Sequence, residues 1–337
     1  MKTKDSIVCC LIALLALPVL GTFAGTPAGY SIELVTIFDY PGTGPYWTQP
    51  QKINDMGDIA GDFIDTSLVQ RGFIRFRNGT FSAPIVHPND TGGITQCTGI
   101  NNSRLVCGNY LDGASANAHG FFLRGGIFHN FDVSGSINTD VAGLNNAGDF
   151  CGYDISDSGV QAAFLSVGGV LTEFTVARAI FTTANKINSS NQVCGYFLQN
   201  PGPHGSHGYY RDSDGTIYAP IDPAGSKGTI IFGNNDSNWM VGRYDDSHGL
   251  THGLLFIPPN TYITYDPPGS TFTSLNGINV QGEIVGRYED TSGIQHGIIA
   301  RVVQGAADQS TPGVTPQRQS SQVGPPPSRS QLEEPAS

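Results

Sequence analysis

The chain has 337 residues with 44 Gly and 21 Pro, so nearly a fifth of it, (44+21)/337, consists of the two strongest punctuators of regular structure. That excludes a long-helix protein, and 39% hydrophobic with 10% aromatic residues excludes wholesale disorder. A formal charge of −11, spread thinly, speaks against nucleic acid and anionic membrane as partners. In chain order, Lys2 and Lys4 give a basic start, Ile7 to Leu20 is an uncharged apolar run, and Thr22-Phe23-Ala24 offers a signal-peptidase site, so residues 1–24 read as a secretory signal peptide. The run is shorter than the roughly 18 to 20 residues of a membrane helix, and no other stretch approaches that length. Cys9 and Cys10 lie within the leader and lack the small residue expected before a lipidated cysteine. An exported chain without a membrane span is the expectation, periplasmic or extracellular, and a monomer.

Self-similarity is the strongest signal. The segments IAGDF, VCGNY, FCGYD, VCGYF, MVGRY and IVGRY place a glycine at 61, 108, 152, 195, 242 and 286, which defines six units of about 45 residues. Seven residues before each glycine stands an Asn, at 54, 101, 145, 188, 235 and 279, and four before it come Gly57, Arg104, Gly148, Asn191, Asn238 and Gly282. Five of these six tolerate a left-handed backbone, so the spacing predicts a tight hairpin whose Asn side chain bonds to the turn backbone. After the glycine comes an aromatic, Phe63, Tyr110, Tyr153, Tyr196, Tyr244 and Tyr288, then an Asp, Ser and Gly-rich loop. A third strand opens with His119-Gly120, His207-Gly208, His252-Gly253 and His296-Gly297, replaced by Arg71-Gly72 in the first unit and Ala162-Ala163 in the third. A fourth strand precedes loops such as DYPG at 39, DPAG at 222 and DPPG at 266.

Each unit is thus a four-stranded meander, which must pack face to face with others in a ring or an open stack. One fourth-strand segment, Glu33 to Asp39, stands before the first unit, and the last unit ends at HGIIARVV without one. Closure of the last sheet by the N-terminal strand suits a ring only, so the expected fold is all-β: a six-bladed β-propeller of four-stranded repeats over residues 25–303, with the N-terminal strand completing the last blade. From residue 304 to 337 the chain turns to Gln, Ser and Pro, with Pro325-Pro326-Pro327, and reads as a disordered tail.

The pattern from Gly277 to Gly297, with GIN, IVG, a Tyr, an Asp, SG and HG in fixed register, resembles the extracellular repeats of the HAF family over roughly residues 30 to 303. That resemblance implies export and a repeat domain, and brings no established activity or catalytic residues. The third unit departs by lacking the His-Gly pair, and the fourth has Asn200-Pro201-Gly202 in place of the Asp-Ser-Gly loop.

Four cysteines remain after the leader, at 97, 107, 151 and 194, and three stand immediately before the repeat glycine, where other units carry Ala60, Val241 and Val285. Buried free thiols follow from that alternation; the other reading is a bridge between Cys97 and Cys107 on paired strands. No Gly-x-Ser-x-Gly elbow and no phosphate loop occurs, and cysteines in core positions make poor nucleophiles. The ligand face is expected where the Asp-Pro-Gly and Asp-Ser-Gly loops open together, with Asp112, Asp157, Asp246 and Asp290 and the histidines His119, His207, His252 and His296 as candidates. The histidines read first as structural groups pinned by an Asp such as Asp246 or Asp290. His204 and His207 are weakly spaced for zinc; calcium in the Asp loops lacks a recognised ligand spacing, and no other cofactor is implied. Two functions stay open: a binding module for an extracellular glycan, surface polymer or protein, and an extracellular carbohydrate hydrolase or lyase using carboxylates gathered at the propeller face. Departures from the repeat are mostly losses, Arg71 and Ala162-Ala163, which favours binding.

Overall fold

The computed structural model describes residues 29–42, 47–199 and 205–305, and the expected leader, the tail from 306, Asn200 to Gly202 and His204 lie outside them. All regular structure in the described residues is β. Strand β1 (Tyr30–Phe38) stands first. The first unit follows as β2 (Thr48–Ile53), β3 (Ile59–Ile64) and β4 (Gln70–Arg75). The second comprises β5 (Thr95–Ile100), β6 (Val106–Asp112), β7 (Asn117–Arg124) and β8 (Ile127–Phe131). The third comprises β9 (Ser136–Leu144), β10 (Phe150–Ser156), β11 (Gln161–Val167) and β12 (Val170–Phe174). The fourth has β13 (Ala179–Ile187), β14 (Val193–Gln199), β15 (His207–Arg211) and β16 (Ile217–Ile221). The fifth has β17 (Gly228–Asn234), β18 (Met240–Asp245), β19 (Thr251–Ile257) and β20 (Thr261–Tyr265). The last has β21 (Phe272–Ile278), β22 (Glu283–Glu289) and β23 (Gln295–Gln304), against which β1 pairs antiparallel from Tyr30 opposite Gln304 to Phe38 opposite Gly297. The strand β23 therefore runs one residue past the expected domain end at 303.

The first unit departs from the four-stranded expectation. It keeps three strands, and the segment after β4 forms no fourth strand but pairs through the isolated bridges Arg75 to Phe81 and Gly72 to Ile85. Pro84 brings no N–H to a ladder there, and Ser82 Oγ takes the Ile74 amide at 3.0 Å instead.

The hairpins between first and second strands carry the expected turns: all six residues four before the glycine have positive φ, Arg104 at 57° included. The repeat glycine has a second cause. Each first strand holds a one-residue bulge opposite it, as between Pro50 and Lys52, Cys97 and Gly99, or Leu275 and Gly277. A Cβ on Gly61, Gly108, Gly152, Gly195, Gly242 or Gly286 would run into the carbonyl oxygen of Gln49, Gln96, Asp140, Thr183, Ile230 or Ser274.

The core lies between the units. Ala60 packs with Cys97 of the next unit, Cys107 with Val141, Cys151 with Ala184, Cys194 with Ile231, and Val241 with Leu275. Val285 of the last unit then packs on Ile53 and Ile59 of the first. The four cysteines are free and buried, and burial pushes the Cys107 thiol up to about 11 and Cys194 up to about 12. A Cys97–Cys107 bridge is precluded by direction: Cys97 faces the first unit, against Gly72, and Cys107 faces the third.

The Asn residues do more than hold their own turns. Asn54 Oδ1 accepts from the Met56 and Asp58 amides at 3.0 and 2.8 Å, and the other five repeat this pattern. Its Nδ2 donates to the Asn101 carbonyl of the next unit at 3.0 Å. Asn101 donates likewise to Asn145, Asn145 to Asn188, Asn188 to Asn235, Asn235 to Asn279, and Asn279 back to Asn54 at 3.2 Å. The six units therefore form a closed cycle of hydrogen bonds around a common axis. The cavity inside, about 40 Å3, has room for little more than a water molecule.

Candidate functional site

The expected ligand-face residues are present but dispersed. Asp246 Oδ1 accepts from the His248 and Leu250 amides at 2.8 and 2.9 Å, and the Leu250 amide above all holds its carboxyl down at about 2. Asp290 repeats this with Ser292 and Ile294, and the Ile294 amide leads in lowering its carboxyl. Asp112 accepts from Ala114, Ser115 and Thr91. Asp157 is exposed and, among the described residues, has no partner. These carboxylates serve mainly their own turns, and among the described residues no group of three His, Cys, Asp or Glu side chains is arranged to hold a metal ion.

The histidines are pinned, but chiefly by other carboxylates than expected. His119 Nδ1 meets Asp132 at 3.1 Å, His207 Asp222 at 2.6 Å, His252 Asp266 at 2.6 Å and His296 Asp39 at 2.9 Å. Asp246 and Asp290 stand farther off, at 3.6 Å from Nε2 of His252 and His296. The partner is the Asp that opens the loop after the fourth strand, which is why DYPG, DPAG and DPPG recur. In the last unit it comes from the strand end of β1. Each ring also lies opposite an aromatic of the second strand, Tyr110, Phe197, Tyr244 or Tyr288, with centroids 5.3 to 5.4 Å apart. These dyads tie strands together and point to no shared centre.

That pairing corrects the aromatic repeat. The residue two after the glycine is Phe63, Tyr110, Phe197, Tyr244 or Tyr288, with Asp154 in the third unit, whereas Tyr153 and Tyr196 stand one after it. A slip of one residue turns a side chain to the opposite face of its sheet. The position immediately after the glycine, on the face toward the next unit, reads Asp62, Asn109, Tyr153, Tyr196, Arg243 and Arg287. Here the cyclic symmetry breaks, and chemically distinct groups gather beside the first strands.

Around the axis these groups form a girdle. Asp62 is fully buried, accepts from Gln51 Nε2 at 3.0 Å and Gln70 Nε2 at 2.6 Å, and burial pushes its carboxyl up to about 6. Asp140 of β9 accepts from Asn109 and Tyr153 and is likewise pushed up to about 6 by burial. Tyr153, Tyr196, Arg243 and Arg287 stay partly exposed. Partly exposed aromatic rings alternate with the cations, Trp47, Arg287, Phe272, Arg243, Phe232; Trp47 and Phe272 stand where loops enter the first strands, and Phe232 at the bulge within β17. Phe181 meets Tyr196 edge-on at 5.8 Å. Sequence reasoning missed this site because it registered the aromatics two ways at once; strict counting from the glycine would have exposed it.

The opposite end of the axis is filled by two lysines. Lys52 and Lys186 occupy one repeat position in units one and four, where the others carry Gly99, Gly143, Gly233 and Gly277. Lys186 Nζ donates to the Leu144 carbonyl at 2.5 Å, and burial pushes Lys52 down to about 8. A folded pKa below the unfolded value of 10.5 makes the charged form a burden that is fully felt below pH 8 and lifts as pH rises toward 10.5. Lys52→Met should therefore stabilise the chain at pH 7 by on the order of 3 kcal/mol and flatten its stability between those pH values, read by urea unfolding. A destabilised variant would give Lys52 a favourable bond in this cavity.

No family model matches this sequence, and no curated protein does. Among solved structures, TolB from Acinetobacter baumannii has a TM-score of 0.50 at 12% identity, covering 74% of this chain and 66% of that one. The Aleuria aurantia lectin, in complex with Fucalpha1-6GlcNAc, has a TM-score of 0.48 at 9% identity over 81% of this chain and 99% of the lectin. The β-propeller domain of the Trilobed protease from Pyrococcus furiosus has 0.46 at 8% identity over 78% and 99%. The likeness concerns fold alone: the chain is all-β, with β-propellers among its structural neighbours. No helix among the described residues is long and apolar enough to cross a membrane.

Proposed function

We propose that the chain is a secreted, HAF-like, six-bladed β-propeller whose N-terminal strand completes the sixth blade, and that it binds an extracellular glycan or surface polymer at the loop end of its axis. The six-membered Asn cycle and the pairing of β1 with β23 support the ring. The observation that carries the function is the row of partly exposed aromatic rings at one rim, Trp47, Phe181, Phe232 and Phe272. Such rings would otherwise be buried, and they suit the apolar faces of sugars. The test is an array of glycans and cell-surface polymers probed with the purified chain, with calcium and with chelator. A glycan bound by the chain and at least about tenfold weaker for Phe272→Ala, roughly 1.4 kcal/mol, is expected. An array without a bound glycan or polymer would move the reading to a protein partner.

One observation favours a hydrolase or lyase as the second reading. Asp62 and Asp140 are carboxylic groups pushed up to about 6, within reach of proton transfer near neutral pH. Turnover of a bound glycan that disappears in Asp62→Asn or Asp140→Asn would establish it; a glycan recovered intact would end it.

A further inference from the structure

Arg243 and Arg287 are the arginines at the rim that no carboxylate contacts directly. Arg287 is stacked between Trp47 and Phe272, with centroid distances of 5.5 and 5.4 Å, and Arg243 between Phe272 and Phe232, at 5.3 and 5.8 Å. Stacking occupies the faces of a guanidinium and stabilises it, but leaves its charge and its in-plane N–H donors unanswered. The described arginine–carboxylate pairs are Arg71–Asp65, Arg77–Glu283, Arg104–Asp58 and Arg301–Glu33, and neither rim arginine takes part in one. Arg287 Nη1 donates to two neutral amide oxygens, Gln49 Oε1 at 2.8 Å and Gln295 Oε1 at 2.9 Å, while its Nε is buried without a partner.

The nearby carboxylates act on these charges from a distance, Asp62 and Glu289 on Arg287 and Asp245 on Arg243, but their oxygens are bonded to other groups. Asp62 is held by Gln51 and Gln70, Asp245 Oδ1 by Thr251 Oγ1 at 2.6 Å, and Glu289 by Thr271 and Gln295. Two like charges thus share one phenyl ring in a partly desolvated site; burial, and then the Arg243 charge, lower the hold of Arg287 on its proton, while Asp62 and Glu289 act the other way. Elsewhere in the cycle the same position carries Asp62, Asn109, Tyr153 and Tyr196, so the cations are no requirement of the fold. An oxyanion from outside would answer both at once with charge-assisted hydrogen bonds.

We propose that Arg243 and Arg287 receive the oxyanion of an acidic saccharide, a uronate carboxylate or a sugar sulfate ester, at the loop end of the axis. The neutral groups beside them, Gln49 at Arg287 and Tyr196 at Arg243, match the hydroxyls of the same sugar rather than the side chains of an acidic peptide. Because the chain carries a net charge of −11, a long polyanion is repelled at low salt and a short acidic oligosaccharide is the fitting occupant. This inference rests on the glycan reading above.

The experiment is calorimetric titration of the full chain at about 0.15 M salt, where surface charges are screened beyond about 8 Å. The probes are trigalacturonate, trimannuronate, their methyl esters, a sulfated neutral trisaccharide and its unsulfated parent. At least one acidic probe should bind, and removal of its charge by esterification or desulfation should weaken binding at least tenfold; uronate and sulfate arms identify the oxyanion. Arg243→Gln and Arg287→Gln should each cost the acidic probe tenfold or more and narrow the difference between it and its esterified or desulfated counterpart, with folding checked by near-ultraviolet circular dichroism. Editing the ligand keeps the test independent of variant folding. Equal binding of acid and ester, or binding only of neutral array glycans, overturns the acidic assignment and leaves the glycan reading standing. Binding of none of these probes overturns the acidic assignment, and an array without a bound glycan or polymer overturns the glycan reading with it.

Discussion

Deleting residues 25–38 should make the chain associate more than the parent and melt broadly or at least about 10 °C lower. Strand β1 is the outermost strand of the last sheet, yet it is the first strand of the chain, and its partners on β23 run from Gly297 to Gln304. Its removal exposes the backbone donors and acceptors of β23, a template for pairing with another copy. It also removes Phe38, which packs with Ile53, Ile59 and Val285 where the last unit meets the first, and which lies under Arg75 at 4.7 Å. Asp39 is retained, so the His296 dyad is not itself deleted. The loss should appear in size-exclusion chromatography and thermal unfolding, and a synthetic peptide spanning Tyr30 to Phe38 should reverse the association by strand addition. A deletion variant that associates no more than the parent, with an unchanged melt, would show that closure of the cycle does not depend on this strand.

The closure was legible because it is written in counts: six glycines, six asparagines and a fourth-strand segment displaced to the front. Strand existence and turn chemistry were legible for the same reason, since a left-handed position recurs at one offset and tolerates few residue types. What failed to show was whatever depends on the partner across a unit boundary. Asp39 lies 257 residues from His296, and only the fold brings it to the ring, whereas Asp132, Asp222 and Asp266 stand 13 to 15 residues after their histidines within one unit. The girdle was hidden differently. Tyr153 and Tyr196 look like Tyr110 and Tyr244 to the eye, but the two-residue period of a strand places them on the other face. The bulge in each first strand, which makes the glycine obligatory, gives no residue-type signal of its own; Gln51, Thr98 and Asn276 share little beyond polarity. Proline in the first unit shows the converse, a visible breaker at Pro84 whose consequence, a unit of three regular strands, was outweighed in the reading by the repeat.

Replacing Asn235 by aspartate should destabilise the chain by several kcal/mol at pH 7 and by much less at pH 4, because the substitution breaks one link of the Asn cycle in a way that protonation can mend. Asn235 is 5% exposed, its Oδ1 takes the Ser237 and Trp239 amides at 3.0 Å each, and its Nδ2 donates to the Asn279 carbonyl at 3.1 Å. A carboxylate keeps both amide bonds but turns a second acceptor toward that carbonyl, so two oxygens face each other without a proton between them. A protonated carboxyl supplies the missing donor. The folded state of the variant therefore favours the proton, its folded pKa lies above the unfolded value of about 3.9, and its stability relative to the parent falls as pH rises through that interval. Asn235→Ala removes both functions and should lose a similar amount at either pH, leaving the Ser237 and Trp239 amides without acceptors. Urea unfolding of parent, Asn235→Asp and Asn235→Ala at pH 4 and 7 separates the cases, each value taken relative to the parent at the same pH. If the aspartate variant loses as much at pH 4 as at pH 7, the donor to Asn279 carries no weight and the cycle is held by apolar packing between units alone. A recovery in acid confined to the aspartate variant assigns that weight to a single N–H, and by repetition to its five counterparts around the axis.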